Sequence, residues 1–460
     1  MMEDTSRLLN MKDMPLCWRH ICILLIASVG QALGGMLAIL VGVIAPLIAI
    51  TRHPALPSWG QGVLCASGLI GIMFGSLLFG WLSDKFGYLF FFRFCPLLVT
   101  GASLWVYFFP TMTVLVICLL LIGIAIGGSY ALDPSYLSEI MPEKWRRTML
   151  GISKAMSGVG NIIMIGVAYM LLKQTGEPTD WHKLFWVLAL LAALTFLARF
   201  WFVESPAWLL AHGKQAEAER NLRHFLGQDV YIGDAQPTKK HSAVSPVARR
   251  ELFSRKNIKR IILSGVPWGC EGMGVYGIGI FTPILLLTLG LVHRGDSPFE
   301  RVVESLRFTF YINLFVMFGF VLGLSVVRRY NLIKTQFWGF VLSAAGLAVT
   351  WMGYVWHAPA DVLLAGFLLF ELALNAGPHL STFELPSRIY SLSERAGGEG
   401  IASALGKLGA IIATFVIPLL LGWGGGGLVL IVAMAVLLCG GIITCWLGSQ
   451  VLNEKNSINR

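Results

Sequence analysis

ESPAWLLAHGKQAEAERNLRHFLG, residues 204–227, leads through a Pro/Ser/Lys-rich run to ARRELFSRKNIKR, residues 248–260. This is the long polar stretch of an otherwise apolar sequence. On either side lie apolar runs of roughly 20 residues, the length at which a helix crosses a bilayer. The polar centre therefore reads as a bridge between two membrane-embedded halves. Its AEAERNLRHFL segment has the periodicity of a short amphipathic helix.

The composition excludes an ordinary soluble protein: 56% of the 460 residues are hydrophobic and only 13% are charged. A formal charge of +10 would suggest nucleic acid in a soluble chain. Here the excess of Lys and Arg in cytoplasmic loops of membrane proteins explains it, and no nucleic-acid partner is expected. The eight cysteines are scattered, without a CxxC pair or a His/Cys spacing suited to zinc. No metal, cofactor or enzymatic activity is expected, since the sequence holds no phosphate-cradling loop and no nucleophile elbow.

Working outward, the sequence predicts an all-α polytopic membrane protein with twelve spans. They lie at about 20–50, 61–82, 89–109, 112–137, 149–172, 184–203, 261–289, 307–327, 335–356, 362–383, 400–421 and 427–447. Even parity puts both termini on one side. Assigning that side to the cytoplasm places most of the 35 Lys and Arg there. Residues 1–203 and 261–460 form the expected six-helix halves, with 204–260 as a cytoplasmic linker. Such halves rock around a midplane site. A monomer in a bacterial inner (plasma) membrane is expected.

GWLSDKFGY, Gly80 to Tyr88, resembles the loop signature of the major facilitator superfamily. Asp84 is suited to meet the positive end of a helix N-terminus, while Gly80 and Gly87 allow tight turns. The usual basic pair after Gly87 is missing, with Arg93 as a substitute further along. The matching loop of the second half, GLSVVRRYN, has no Asp. SEIMPEKWRR (Ser138 to Arg147) and ESPAWL (Glu204 to Leu209) resemble motifs of the sugar-porter and related metabolite:proton symporter branches. That resemblance implies an ionic latch of Glu139, Arg146, Arg147 and Glu204.

Residues 375–412, NAGPHLSTFELPSRIYSLSERAGGEGIASALGKLGAII, are similar to the phosphate:proton symporter branch. The resemblance implies binding groups at Tyr130, Trp268, Tyr276 and Lys407. The departures bear on the cargo. Ser129 stands where that branch has an acid, Gly272 replaces its span-seven Asp with Glu271 one residue earlier, and Ser157 replaces a Gln. Residues 21–50 contain no acid. Phosphate as the cargo does not transfer on resemblance alone.

An ionised side chain at the bilayer centre costs roughly 2.5–3.5 kcal/mol, so those present must face protein or water. Lys407 lies within a glycine-rich face, with Gly406 and Gly409 beside it. It either grips an anionic substrate or pairs permanently with an acid. Glu271 lies in GVPWGCEGMGVYGIGIF, where Pro267 and the glycines at 269, 272, 274, 277 and 279 favour a bend whose freed backbone can line a cavity. It is a candidate proton carrier, because desolvation favours the neutral carboxyl. The alternative is a packing carboxylate bonded to a neighbour. Trp268 shares its helix face, while Tyr276 needs the bend to join them. Glu371 sits one turn before Asn375 and either partners Lys407 or carries a proton. Asp133 is either a third proton-coupling acid or part of the latch. Asn161, Ser157 and Gln31 are candidate substrate hydrogen bonders, and Lys154 can snorkel.

The sequence thus favours a secondary active transporter of a small metabolite, an organic anion or phosphate-like solute, coupled to protons by alternating access. A sugar or polyol carrier of the same fold and a non-transporting nutrient sensor are the alternatives.

Overall fold

The computed structural model describes residues 9–10, 15–52, 56–226, 230–231, 255–292, 297–390 and 395–458. It is built almost wholly of helices. Among the described residues eleven are long and apolar enough to cross a membrane, from Trp18–Thr51 to Gly398–Val451. The last, of 54 residues, is non-helical at Gly424 and Gly425. It is therefore two spans, and the total is the expected twelve. Helices dominate because hydrocarbon offers backbone groups no hydrogen-bond partners. A two-residue parallel ladder, Leu9–Asn10 with Val230–Tyr231, is the strand structure present among the described residues.

Three local features depart from smooth spans. Span eight begins at Pro298, earlier than the apolar run alone predicts. Ser297 and Glu300 form a reciprocal capping box there, satisfying two N–H groups of the first turn. Span seven, Asn257–Thr288, changes to a π-helical turn over Met273–Ile278. Span ten, Ala360–Pro386, breaks where Gly377 adopts φ −117° and ψ −90° and Pro378 starts a new helix. Proline cannot donate the N–H that would continue the helix before it.

The packing divides into two compact units. The first comprises Met1–Leu37, Ile70–Gly160 and Phe185–Ser242. The second comprises Ala38–Leu69, Asn161–Leu184 and Ala243–Arg460. In the second, spans seven and eleven meet backbone to backbone. A side chain at Gly409 would strike the Gly269 main chain, and one at Gly406 would sit 2.8 Å from the Trp268 ring. Small residues permit this approach, which replaces the hydrophobic drive that lipid removes.

Candidate functional site

In the first unit the polar residues converge at one end of spans three, four and six. Arg199, in a short 3₁₀ turn closing span six, is fully buried together with Asp133 of span four. Its Nη2 donates to both Asp133 oxygens, at 2.9 and 3.0 Å, and reaches Ala27 O of span one at 3.4 Å. Nη1 donates to Phe92 O of span three at 2.7 Å, and the guanidinium lies 4.0 Å from the Phe92 ring centroid. One planar, permanently charged group thus joins four spans. Arg93 closes the same corner, donating to the carbonyls of Arg199, Phe200 and Phe202.

Glu204 accepts from the backbone N–H groups of Tyr88 at 2.7 Å, Leu89 at 3.2 Å and Ser205 at 2.9 Å. It is the carboxylate at the N-terminus of span three, where the helix dipole favours negative charge. Gly87, at φ 94°, lets the chain turn into that helix, and a side chain there would lie 2.7 Å from Glu204 Oε2. Glu139 accepts from the Ser205 hydroxyl, and Ser205 Oγ in turn caps Trp208 N at 3.1 Å. Glu139 and Glu204, both expected in a latch, thus accept hydrogen bonds from the same residue, Ser205. Arg146 is half-buried, and the side chains of Asp84 and Arg147 lie outside the described ones. Gly80 lies within span two, with Ala131 as its nearest neighbour.

Tyr130 packs with its hydroxyl against Gly34, and Lys154 Nζ stands 5.4 Å from the Tyr130 ring centroid. Ser157 Oγ donates to Lys154 O at 2.9 Å. Gln31 is buried, and its Oε1 has no hydrogen-bond partner among the described residues.

The second unit holds the other predicted residues. Glu271, 2% exposed, is the penultimate residue of the first α-helical part of span seven, Arg255–Gly272. Its Oε1 contacts Nδ1 of His379, which is 8% exposed and lies in the first turn after the span-ten break. The His379 ring meets Phe320 of span eight edge-on at 4.8 Å, and its Nε2 has no hydrogen-bond partner among the described residues. Tyr276 lies in the π-helical turn, five residues past Glu271. Glu371 is 4% exposed, and Asn375 Nδ2 donates to its backbone carbonyl at 2.8 Å and its Oε2 at 3.2 Å. Trp268 meets Phe383 edge-on at 6.1 Å. Lys407 is half-buried, one residue after the glycine that packs on the Trp268 ring, and Asn161 is half-buried in span five.

A mainly apolar cavity of about 500 Å³ in this unit, lined by residues such as Pro46, Gln61, Thr288 and Arg301, contains none of these side chains. Among the described residues no cluster of His, Cys, Asp and Glu could hold a metal ion.

Two residues with prominent roles in this geometry had no role in the sequence reading. Arg199 was visible as a charge at the end of an apolar run. His379 was visible as an ionisable residue directly after Gly377-Pro378, inside a span.

A sequence profile of the "Sugar (and other) transporter" family matches residues 21–452. The inner membrane metabolite transport protein YgcS of Escherichia coli (strain K12) is 30% identical over 401 residues, covering 87% of this chain and 85% of that one. A putative inorganic phosphate transporter 1-13 of Oryza sativa subsp. japonica is 24% identical over 426 residues, covering 86% and 82%. Among solved structures, the partially occluded inward open form of the E. coli xylose transporter XylE superposes with a TM-score of 0.76. It is 19% identical and covers 93% of this chain and 97% of that one, a likeness of fold alone. The chain is an integral membrane transporter, not an enzyme, and belongs to the sugar (and other) transporter family of the major facilitator superfamily.

Proposed function

We propose that the chain moves a small organic anion or phosphate-like solute by proton-coupled alternating access. The observation that carries this is the position of Lys407. A cationic side chain is retained in an apolar span, at a cost of a few kcal/mol, beside the glycine contact that seats Trp268. The similarity to an inorganic phosphate transporter supports an anionic cargo. Trp268, Tyr276 and Asn161 are the proposed cargo contacts of the second unit, and Tyr130, Ser157 and Gln31 those of the first. Glu271 and Glu371, both buried, are the proposed proton carriers. Asp133, gripped by Arg199, is assigned to holding spans together rather than to carrying a proton. The linker and both termini are placed in the cytoplasm by their basic residues, and the transporter is proposed to act as a monomer.

A neutral sugar or polyol is the second candidate cargo, favoured by the family profile that covers residues 21–452. A thermal-stability screen of the purified protein separates the two, because a ligand bound only by the native state raises its midpoint. Organic acids or inorganic phosphate should raise the midpoint in wild type and not in Lys407→Ala. A rise with hexoses and none with anions contradicts the proposal.

A further inference from the structure

We propose that His379 and Glu271 together form one proton-binding unit, in which Glu271 orients the imidazole and His379 Nε2 takes up the proton. This rests on the proton-coupled reading above and refines it: at the Glu271 site the imidazole partner, not the carboxylate itself, takes the proton.

The two side chains come from different spans, 108 residues apart in sequence, and both are more than nine-tenths buried. A neutral imidazole has one N–H and one lone pair, and its partner decides which nitrogen carries which. A carboxylate can only accept, so Glu271 fixes the hydrogen on Nδ1 and leaves the lone pair on Nε2. That nitrogen has no hydrogen-bond partner among the described residues. A buried polar atom without a partner calls for an explanation. A docking point for a proton supplies one. On proton binding the Nε2 lone pair forms an N–H bond, the imidazole becomes imidazolium, and the net charge of the pair goes from minus one to zero. Release to water reverses the step, and no other bond changes.

The position of the pair connects this charge change to movement. Glu271 stands two residues before the π-helical turn of span seven, and His379 stands two residues after the Gly377 break of span ten. π-turns and proline breaks are places where helices bend. The proton therefore arrives where two irregular spans meet, beside the Trp268–Phe383 ring contact that also joins them. The titratable and charged groups on the elements around the pair include Lys259, Arg260, Cys270 and Tyr276 on span seven, Asp361, Glu371 and Glu384 on span ten and Lys407 on span eleven. Arg307 and Lys334 lie towards the starts of spans eight and nine. On span eight, the contact that faces the imidazole is the Phe320 ring.

Nitrogen-15 NMR of the full-length protein in lipid nanodiscs, labelled at histidine, tests the proposal without any ligand. Between about pH 5 and pH 8, the window in which imidazoles change charge, one imidazole signal should report uptake of a single proton. That signal should vanish in His379→Gln, and its midpoint should move by at least tenfold in proton concentration in Glu271→Gln. If His379→Gln does not fold, the one signal displaced in Glu271→Gln makes the assignment. A His379 signal that stays in one protonation state across the range overturns the proposal, as does one that ignores Glu271→Gln. In either case solute accumulation that still follows an imposed pH gradient would leave proton coupling intact. Accumulation by wild type that ignores the gradient overturns both.

Discussion

Arg199 grips both carboxylate oxygens of Asp133, at 2.9 and 3.0 Å, with neither side chain exposed to solvent. The pair joins span six to span four, and the same guanidinium reaches spans one and three. Removing one partner leaves the other charge buried and uncompensated, which typically costs 3–5 kcal/mol. Asp133→Ala and Arg199→Ala should each lower the thermal midpoint in detergent sharply. Asp133→Leu combined with Arg199→Met should be milder than either, because no lone charge remains. A double variant as damaged as the sum of the two singles would contradict this.

The turn into span three depends on Gly87 and Glu204 together. At φ 94° and ψ 164° the Gly87 backbone lies in a region almost confined to glycine. A side chain there would also press on Glu204. Gly87→Ala should destabilise by about 1–3 kcal/mol. Glu204→Ala, which uncovers the N–H groups of Tyr88 and Leu89, should cost about 1 kcal/mol. Denaturant-dependent unfolding of each variant measures both.

The contact between spans seven and eleven allows no added bulk. Gly409→Leu would force a side chain into the Gly269 backbone. Overpacking of this kind usually costs 1–3 kcal/mol. Since the contact lies two residues from Lys407, transport should fall more than expression does. Surface expression and solute uptake, measured on the same cells, separate the two effects.

The fold was legible in the sequence because hydrocarbon leaves the backbone little choice but helix, and runs of the right length mark each span. The Gly-rich break at Gly424–Gly425 was legible as the gap between two apolar runs. The start of span eight was hidden, since Glu300, Arg301 and Glu304 read as loop although they form its first turns. Within one helix, spacing was a reliable guide: Glu371 and Asn375, four apart, are hydrogen-bonded. Across helices it was silent. Asp133 with Arg199 and Glu271 with His379 are 66 and 108 residues apart. Helical periodicity carries no information about which faces of distant spans meet. Glu204 shows a subtler limit. The motif suggested a partner for arginine, while the fold presents it with the open N-terminus of span three.

Accumulation of anions by the purified protein, in liposomes carrying an imposed pH gradient, tests whether Lys407 holds an anionic cargo. Inorganic phosphate and a panel of small organic acids serve as the labelled solutes, with hexoses for comparison. Wild type should concentrate at least one anion, a protonophore should abolish the accumulation, and Lys407→Ala should lower it at least tenfold while remaining folded. Undiminished accumulation by Lys407→Ala, or concentration of a neutral hexose in preference to every anion, would contradict an anionic cargo held by Lys407.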